Sequence, residues 1–368
     1  MNIAIFHNLP DGGAARVLDQ TIKVLKKANC NVDIYSIAEK IYYRPKLNLK
    51  TEYLMVKPWR GFVLHNLWIF FYLRLEHRRI ASIIDSKQYD KVLVHHDYFT
   101  KSPFLLRYIK TKTIYFCHEP QREYYEDWKI HAPSIKDKII NLIRFPIKYI
   151  DQTNVKNAFI VITNSKFSKK IIDRIYGIKS LYLYPGVDLS IFKPSSKKAN
   201  IILSIGGINY IKDPFFIVES IKDLLDPYKL IIVGSGRQAD LKKILNLAGN
   251  KRSFISILAR ISDHKLIELY SLAKVHCIAA HLEPFGLSSI EAQACGTPVV
   301  AVKEGGVIET IVEGRTGYLT KRDKAEFREK VNKVLAHYSK YQLECLKNVK
   351  KWDISTFGNK LLDILNHS

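Results

Sequence analysis

The 368-residue sequence predicts an α/β fold made of two doubly wound, Rossmann-like domains in succession, and two observations predict it. Short runs rich in Ile, Val and Tyr, apolar at consecutive positions, alternate with helical patterns at crossover length, which marks parallel strands covered on both faces. The alternation stops at a turn-rich stretch and then restarts, in a chain long enough for about two cores. The first series of strands is read at Asn2 to His7, Val32 to Ile37, Glu52 to Val56, Val92 to His96, Thr113 to Cys117 and Phe159 to Thr163, followed by a short run at Leu181 to Tyr184. PGVDLSIFKPSSKKAN then carries Pro, Ser and Lys with turn signals, which places a linker near Val187 to Asn200. The second series lies at Ile201 to Ile205, Leu230 to Val233, Phe254 to Leu258, Val275 to Ala280 and Pro298 to Val302. Helices follow Pro214, Gly236 and Ser262, and span Phe285 to Cys295 and Asp323 to Ala336. The amphipathic segment Trp352 to Leu365 belongs to neither series, so the expected domains are 1–188 and 189–350, with 351–368 as a terminal helix. Two such domains create a cleft between the carboxyl ends of their strands, where open α/β sheets bind ligands.

Composition narrows the partners. Hydrophobic residues make up 47% and charged residues 25%, which excludes disordered and collagen-like classes. The net charge of +23 points either to nucleic acid or to an anionic membrane surface with an anionic substrate. It divides as +14 up to Asp188 and +9 beyond. Five cysteines, at 30, 117, 277, 295 and 345, show neither CxxC pairing nor zinc-ligand spacing, and their odd number argues against a disulfide framework; a reducing cytoplasm is expected. The opening MNIAIFHN begins a strand at once, without the charged and apolar regions of an export signal. The longest apolar stretch, Gly61 to Leu75, is interrupted by His65, Asn66 and Arg74 and falls short of the roughly 20 residues a spanning helix needs. Trp59 to Arg79 interleaves aromatic residues with Arg60, Arg74, Arg78 and Arg79, and Ile139 to Ile150 repeats the theme with Arg144 and Lys148. Such segments fit a membrane interface and a core helix equally.

The most informative stretch is HLEPFGLSSIEAQACGTPVV, residues 281–300. Glu283 precedes the expected helix and Glu291 lies within it, so the two carboxylates address different parts of one bound molecule. The first amides of the helix, at Phe285, Gly286 and Leu287, form an anion site to which Ser288 and Ser289 add hydroxyl donors. In the first domain, NLPDGGAARVL follows the first strand, where Gly12 and Gly13 free the backbone to approach a ligand and a helix starts near Ala14. His118, in YFCHEPQREYY, ends the fifth strand at the cleft edge, and His95, His96 and Asp97 end the fourth.

The run EPFGLSSIEAQACGTPVV, continued by EGGVIETIVEGRTGYL, resembles retaining glycosyltransferase family 4, the glycosyl transferases group 1, over roughly 40 residues. Weaker similarity extends from the Gly12-Gly13 loop to the Trp352 segment. The resemblance implies a GT-B fold, two Rossmann-like domains facing across a cleft with the C-terminal helix crossing back to the first. It implies a hexosyltransferase taking mannose or glucose from a UDP- or GDP-sugar to a glycan or polyprenyl-linked acceptor. By the same resemblance Glu291 binds the ribose, Glu283 with the backbone of Phe285 to Leu287 holds the hexose, and Lys212 in SIGGINYIKDP grips the diphosphate and stabilises it as leaving group. His118 stands near the reacting sugar, and the Gly12-Gly13 loop lies around the donor phosphates and acceptor.

One departure is plain: Gly207 occupies the position where the family usually has an arginine beside the lysine, so either another cation replaces it, with Arg16, Arg237 and Arg260 as candidates, or diphosphate binding is weaker. Gly234-Ser235-Gly236, completed by Ala239, formally matches a dinucleotide fingerprint, but the next strand leads to Arg260 instead of an acidic residue. The resemblance places Gly234 along the donor site and the backbone of Arg260 and Ile261 at the base. No D-x-D pair is present, so no metal is expected and the only cofactor-like group is the donor itself. The expected setting is cytoplasmic, in peripheral contact with an anionic inner membrane face and without nucleic acid. A nucleotide-sugar epimerase of the same fold is the nearer alternative, and a basic nucleic-acid-binding protein the remote one, since no recognition motif for nucleic acid is present.

Overall fold

The computed structural model describes residues 1–37, 51–53, 59–126, 134–194 and 197–368. The chain divides into two compact units, Met1–Pro185 with Ser355–Ser368, and Gly186–Ile354.

The first unit is built on a parallel seven-stranded sheet: β1 (Asn2–Asn8), β2 (Asn31–Ser36), β3 (Thr51–Tyr53), β4 (Lys91–Asp97), β5 (Thr113–Phe116), β6 (Ile160–Thr163) and β7 (Leu181–Tyr182), in spatial order β3-β2-β1-β4-β5-β6-β7. The continuous apolar runs have a simple cause. In β1, Ile3 and Ile5 enter one core with Leu93, Ile114 and Ile162, while Ala4 and Phe6 enter the other with Val92, Val94 and Tyr115. Alternate side chains point to opposite faces, and both faces are covered. The helix Gly13–Lys27 covers the first face with Val17, Leu18, Ile22 and Leu25 at helical spacing. The terminal helix Ile354–Asn366 joins it there, burying Phe357, Leu361 and Leu365. Gly358 permits that approach, because a Cβ would stand 2.9 Å from Val24 Cγ2. Residues 54–56 of the expected third strand lie outside the described residues.

The second unit carries β8 (Ile201–Ile205), β9 (Lys229–Val233), β10 (Ile255–Leu258), β11 (Val275–Ile278), β12 (Val299–Val302) and β13 (Gly317–Thr320), all parallel, in order β10-β9-β8-β11-β12-β13. In β12, Val300 and Val302 face one core and Val299 and Ala301 the other. β13 was not among the expected strands. The stretch expected as a linker is instead packed into this unit. The amide of Val187 donates to the Trp352 carbonyl at 2.8 Å and its carbonyl accepts from Ile354, while the Phe192 ring meets Tyr270. Ser195 and Ser196, within that expected linker, lie outside the described residues. No helix among the described residues is long and apolar enough to cross a membrane.

Candidate functional site

In the second sheet the chain leaves β8 toward β9 on one side and returns to β11 on the other. That divergence opens a crevice at the carboxyl ends of the two strands, the place where doubly wound sheets take ligands. A pocket occupies it, walled by Ser204 to Gly207 at the end of β8, by Cys277 to Ala280 at the end of β11, and by Lys212, Pro214, Glu283 and Ser288. Among the described residues lining it, Lys212 is the only basic side chain.

The loop after β8 is shaped by Asn209, whose Oδ1 accepts the amides of Ile211 and Lys212, each at 3.0 Å. The side chain of Asn209 also takes the space beside Gly207, since a Cβ there would lie 2.9 Å from its Nδ2. Lys212 then reaches Glu283, Nζ to Oε2, at 2.6 Å. Asp213 follows in a left-handed conformation and caps the helix Pro214–Ile221, its Oδ1 accepting from Phe216 at 3.1 Å. Its other oxygen accepts from Arg322 Nη1 at 2.8 Å, and Arg322 further grips both oxygens of Glu304 and the carbonyl of Ala279. One guanidinium thus ties the helix cap at Asp213 to the ends of β11 and β12. His281 completes the group, 3.3 Å from Glu304 and 3.6 Å from Asp213. Burial pushes the Glu304 carboxyl upward, but the hydrogen bonds and charge of Arg322, with His281, outweigh it and hold its pKa below the ordinary value. Sequence reasoning missed this clamp. The signal available was Glu304 in EGG and Arg322 just after GYLT, with nothing to pair them.

Glu283 is held by the Gly305-Gly306 turn. The Gly306 amide donates to the Glu283 carbonyl at 2.5 Å, and a Cβ on Gly305 would lie 2.3 Å from that same oxygen. The following helix is Leu287–Ala294, two residues later than expected, because Gly286 turns the chain at φ 94 as its N-cap. No side chain caps it, so its N-terminal dipole faces the pocket at Ser288. Phe285 lies before the helix with its ring against Trp352, 5.4 Å between centroids, so that side chain belongs to the core.

The two serines are corrected. His276 Nδ1 faces the carbonyl of Leu203 at 3.1 Å and must carry its proton there. Burial lowers the His276 pKa to about 4, so the ring is neutral and its Nε2 accepts from Ser288 Oγ at 3.2 Å. The Ser288 hydroxyl proton is therefore spent inside the protein. Ser289 is buried, with Thr310 Oγ1 at 2.8 Å and Gln293 at 3.2 Å. Glu291 sits on the same helix, buried, with Oε2 fixed by the Tyr270 hydroxyl at 2.8 Å.

The remaining donor-site residues do not line this pocket. Gly234 serves the close approach of two loops, since a Cβ would fall 1.8 Å from the Gly206 carbonyl. Arg237 is largely exposed and pairs with Asp240 at 2.9 Å. β10 ends at Leu258, so Arg260 is exposed in the loop beyond, and Ile261 packs partly against the core around Leu203. Of the three arginines considered as replacements at Gly207, Arg237 and Arg260 are thus excluded from the pocket wall, and Arg16 belongs to the first unit.

In that first unit the equivalent divergence lies between β1 and β4. Gly12, at φ 151, opens the helix Gly13–Lys27, whose first turn holds Arg16 through its amide to the Gly12 carbonyl at 3.1 Å. A Cβ on Gly12 or Gly13 would meet nothing within 4 Å, so these glycines serve conformation and access rather than packing. Asp97 is structural: it accepts from Asn8 at 2.6 Å and from the amides of Phe99 and Thr100. His118 is buried, its amide donating to His96 Nε2 at 3.1 Å and its Nε2 lying 3.3 Å from His95 Nδ1. Burial lowers the His118 pKa to about 4, so its imidazole is neutral.

Two doubly wound sheets in series, the second bearing a lysine, two carboxylates and an uncapped helix start at its divergence point, make up the GT-B glycosyltransferase architecture. Solved structures of that fold align with the entire chain. The sucrose-phosphate synthase of Thermosynechococcus elongatus does so at TM-score 0.81 and 19% identity, covering 100% of this chain and 98% of its own. Anabaena Alr3699/HepE, solved with UDP and glucose, does so at TM-score 0.77 and 16% identity, covering 100% and 99%. At these identities the likeness is one of fold. Residues 11–191 match Glycosyltransferase Family 4 and residues 188–352 match Glycosyl transferases group 1, and the chain belongs to glycosyltransferase family 4. A probable sucrose-phosphate synthase of Thermosipho melanesiensis is 33% identical over 199 residues, 49% of this chain and 44% of that protein. The chain spans less than half the length of the curated relatives it matches.

Proposed function

We propose that the protein is a retaining hexosyltransferase that moves a mannose- or glucose-type sugar from a UDP- or GDP-sugar to a glycan or polyprenyl-linked acceptor. It works without a metal, as a peripheral protein at the inner face of the cell membrane. The observation that carries the reading is the 2.6 Å contact of Lys212 with Glu283 beside an uncapped helix start. Cation and carboxylate satisfy each other there, and a nucleotide sugar satisfies both at once. Its diphosphate takes the ammonium of Lys212 and the first amides of the helix, while its hexose hydroxyls donate to Glu283. Glu291, aimed by Tyr270, accepts from the ribose diol. As the glycosidic bond breaks, charge builds on the diphosphate, and Lys212 with the helix dipole stabilises it where it forms. His118, neutral, serves the hexose by hydrogen bonding and not by charge.

The test is a thermal-shift screen of UDP- and GDP-sugars, followed by NMR of the product from the stabilising donor. A donor present at about 100 times its Kd raises stability by about 2.7 kcal/mol. The expected product keeps the donor's anomeric configuration, requires an acceptor and forms in the presence of EDTA. Inversion would remove the retaining mechanism, and turnover without acceptor would favour an epimerase.

A further inference from the structure

The helix Ile135–Ile143 in the first unit buries none of its residues. It is nevertheless well formed, with Ser134 and Asp137 making a reciprocal capping box. Its apolar residues recur as Ile135, Ile139, Leu142 and Ile143, one helical face, and Ile135 and Leu142 are each 75% exposed. A short helix without a buried face gains little from the core, so its stripe answers to something outside the chain. A second face of the same kind lies beside it. The helical stretch running from Phe62 through a wide turn at Trp68–Tyr72 to Ser86 buries Trp68, Ile69 and Leu73 inward and leaves Val63 68% and Phe71 67% exposed outward. Arg144 Nε donates to Asn66 Oδ1 at 3.1 Å and joins the two stretches.

The charge around this surface has one sign. Residues 59–86 and 134–150 hold eight Lys and Arg against three carboxylates. All three are engaged locally, Asp137 in the capping box, Asp85 with the amides of Lys110 and Thr111, and Glu76 with Arg79 at 3.8 Å. Arg60, Arg78, Arg79, Lys136 and Lys138 are exposed. A second copy of the chain docked on this face would bring like charges together, whereas an anionic bilayer accepts the apolar stripes among its acyl chains and the cations among its headgroups. We infer that the two stretches form a docking surface for anionic lipid, with Ile135, Leu142 and Phe71 as the inserted side chains. This names the surface behind the membrane setting proposed above and rests on that setting, but not on sugar transfer.

The experiment is flotation of the whole protein with phosphatidylcholine vesicles containing phosphatidylglycerol, against pure phosphatidylcholine vesicles. Binding to the anionic vesicles is expected to exceed binding to the neutral ones and to weaken with salt. Ile135→Ser and Leu142→Ser, at exposed positions, are each expected to weaken it about tenfold with the circular dichroism unchanged. Lys136→Gln and Lys138→Gln are each expected to weaken it about fivefold. Equal flotation with both vesicle types, or wild-type flotation of all four variants, would overturn the inference. So would a dimer in analytical ultracentrifugation that Leu142→Ser dissociates. Because flotation reads no turnover, an inactive enzyme that still floats would count against the proposed transfer and leave the surface standing.

Discussion

At the residue scale, the pocket of the second unit holds Lys212 and Glu283 as each other's partners, the contact that the proposed donor would replace. Lys212 and Glu283 are both partly exposed, so their mutual attraction is screened and adds at most about 1 kcal/mol to stability. In the proposed transfer their value lies in the donor groups that replace that contact. Lys212→Ala and Glu283→Ala are each expected to lower kcat by about 10²- to 10³-fold. Thermal midpoints should move by only a few degrees, which differential scanning calorimetry checks. Near wild-type turnover in either variant would remove the residue from the mechanism. Both residues were legible in the sequence, because a motif places them beside a helix start. The roles of Ser288 and Ser289 were not, since the groups that consume or cover their hydroxyls, His276 and Thr310, come from distant turns of the chain.

At the scale of elements, the loop bearing Lys212 is anchored by Arg322, which follows β13 and reaches the helix cap at Asp213 and the ends of two other strands. Arg322→Ala leaves Asp213 and Glu304 facing each other around His281 without their main cation. The expected cost is about 2 kcal/mol in urea unfolding, below that of a fully buried pair because the guanidinium is 23% exposed. The sugar-donor KM should rise about tenfold as the Lys212 loop loosens, and Arg322→Lys should recover stability more than KM, since an ammonium cannot grip bidentately. Unchanged KM in Arg322→Ala would confine the clamp to folding. β13 escaped sequence reasoning for a related reason. GYLT is four residues long and starts on a glycine whose Cβ would fall 1.7 Å from the Val299 carbonyl, so its place depends on β12 and not on its own pattern.

At the scale of the molecule, the two units differ in what acid does to them. Burial lowers the pKa of His7, His77 and His118 to about 4 and puts His95 and His96 well below the ordinary value, all in the first unit. In the second, His276 is lowered to about 4. A histidine that binds its proton more weakly folded than unfolded leaves stability whole above pH 6.5 and lowers it as pH falls toward 4, by up to about 3 kcal/mol for each of the three in the first unit lowered to about 4. Asp151 opposes this trend. Burial raises its pKa to about 6, so its folded form gains as pH falls through 6, but it is one group against five. Hydrogen exchange at pH 7 and pH 5 is therefore expected to show the first unit opening before the second. Earlier opening of the second unit would refute the assignment of acid sensitivity to the histidines. The sequence by itself determined the two doubly wound series and two local motifs, one carrying Glu283 and Glu291 and another carrying Lys212, because strands buried on both faces must be apolar throughout and each βα turn keeps its own residues adjacent. Only the tertiary structure decided that the stretch expected as a linker packs against Trp352 and Tyr270, that Arg322 joins Asp213, Ala279 and Glu304, and that His118 is neutral. Each of those outcomes depends on burial and on partners from distant parts of the chain, which no local pattern records.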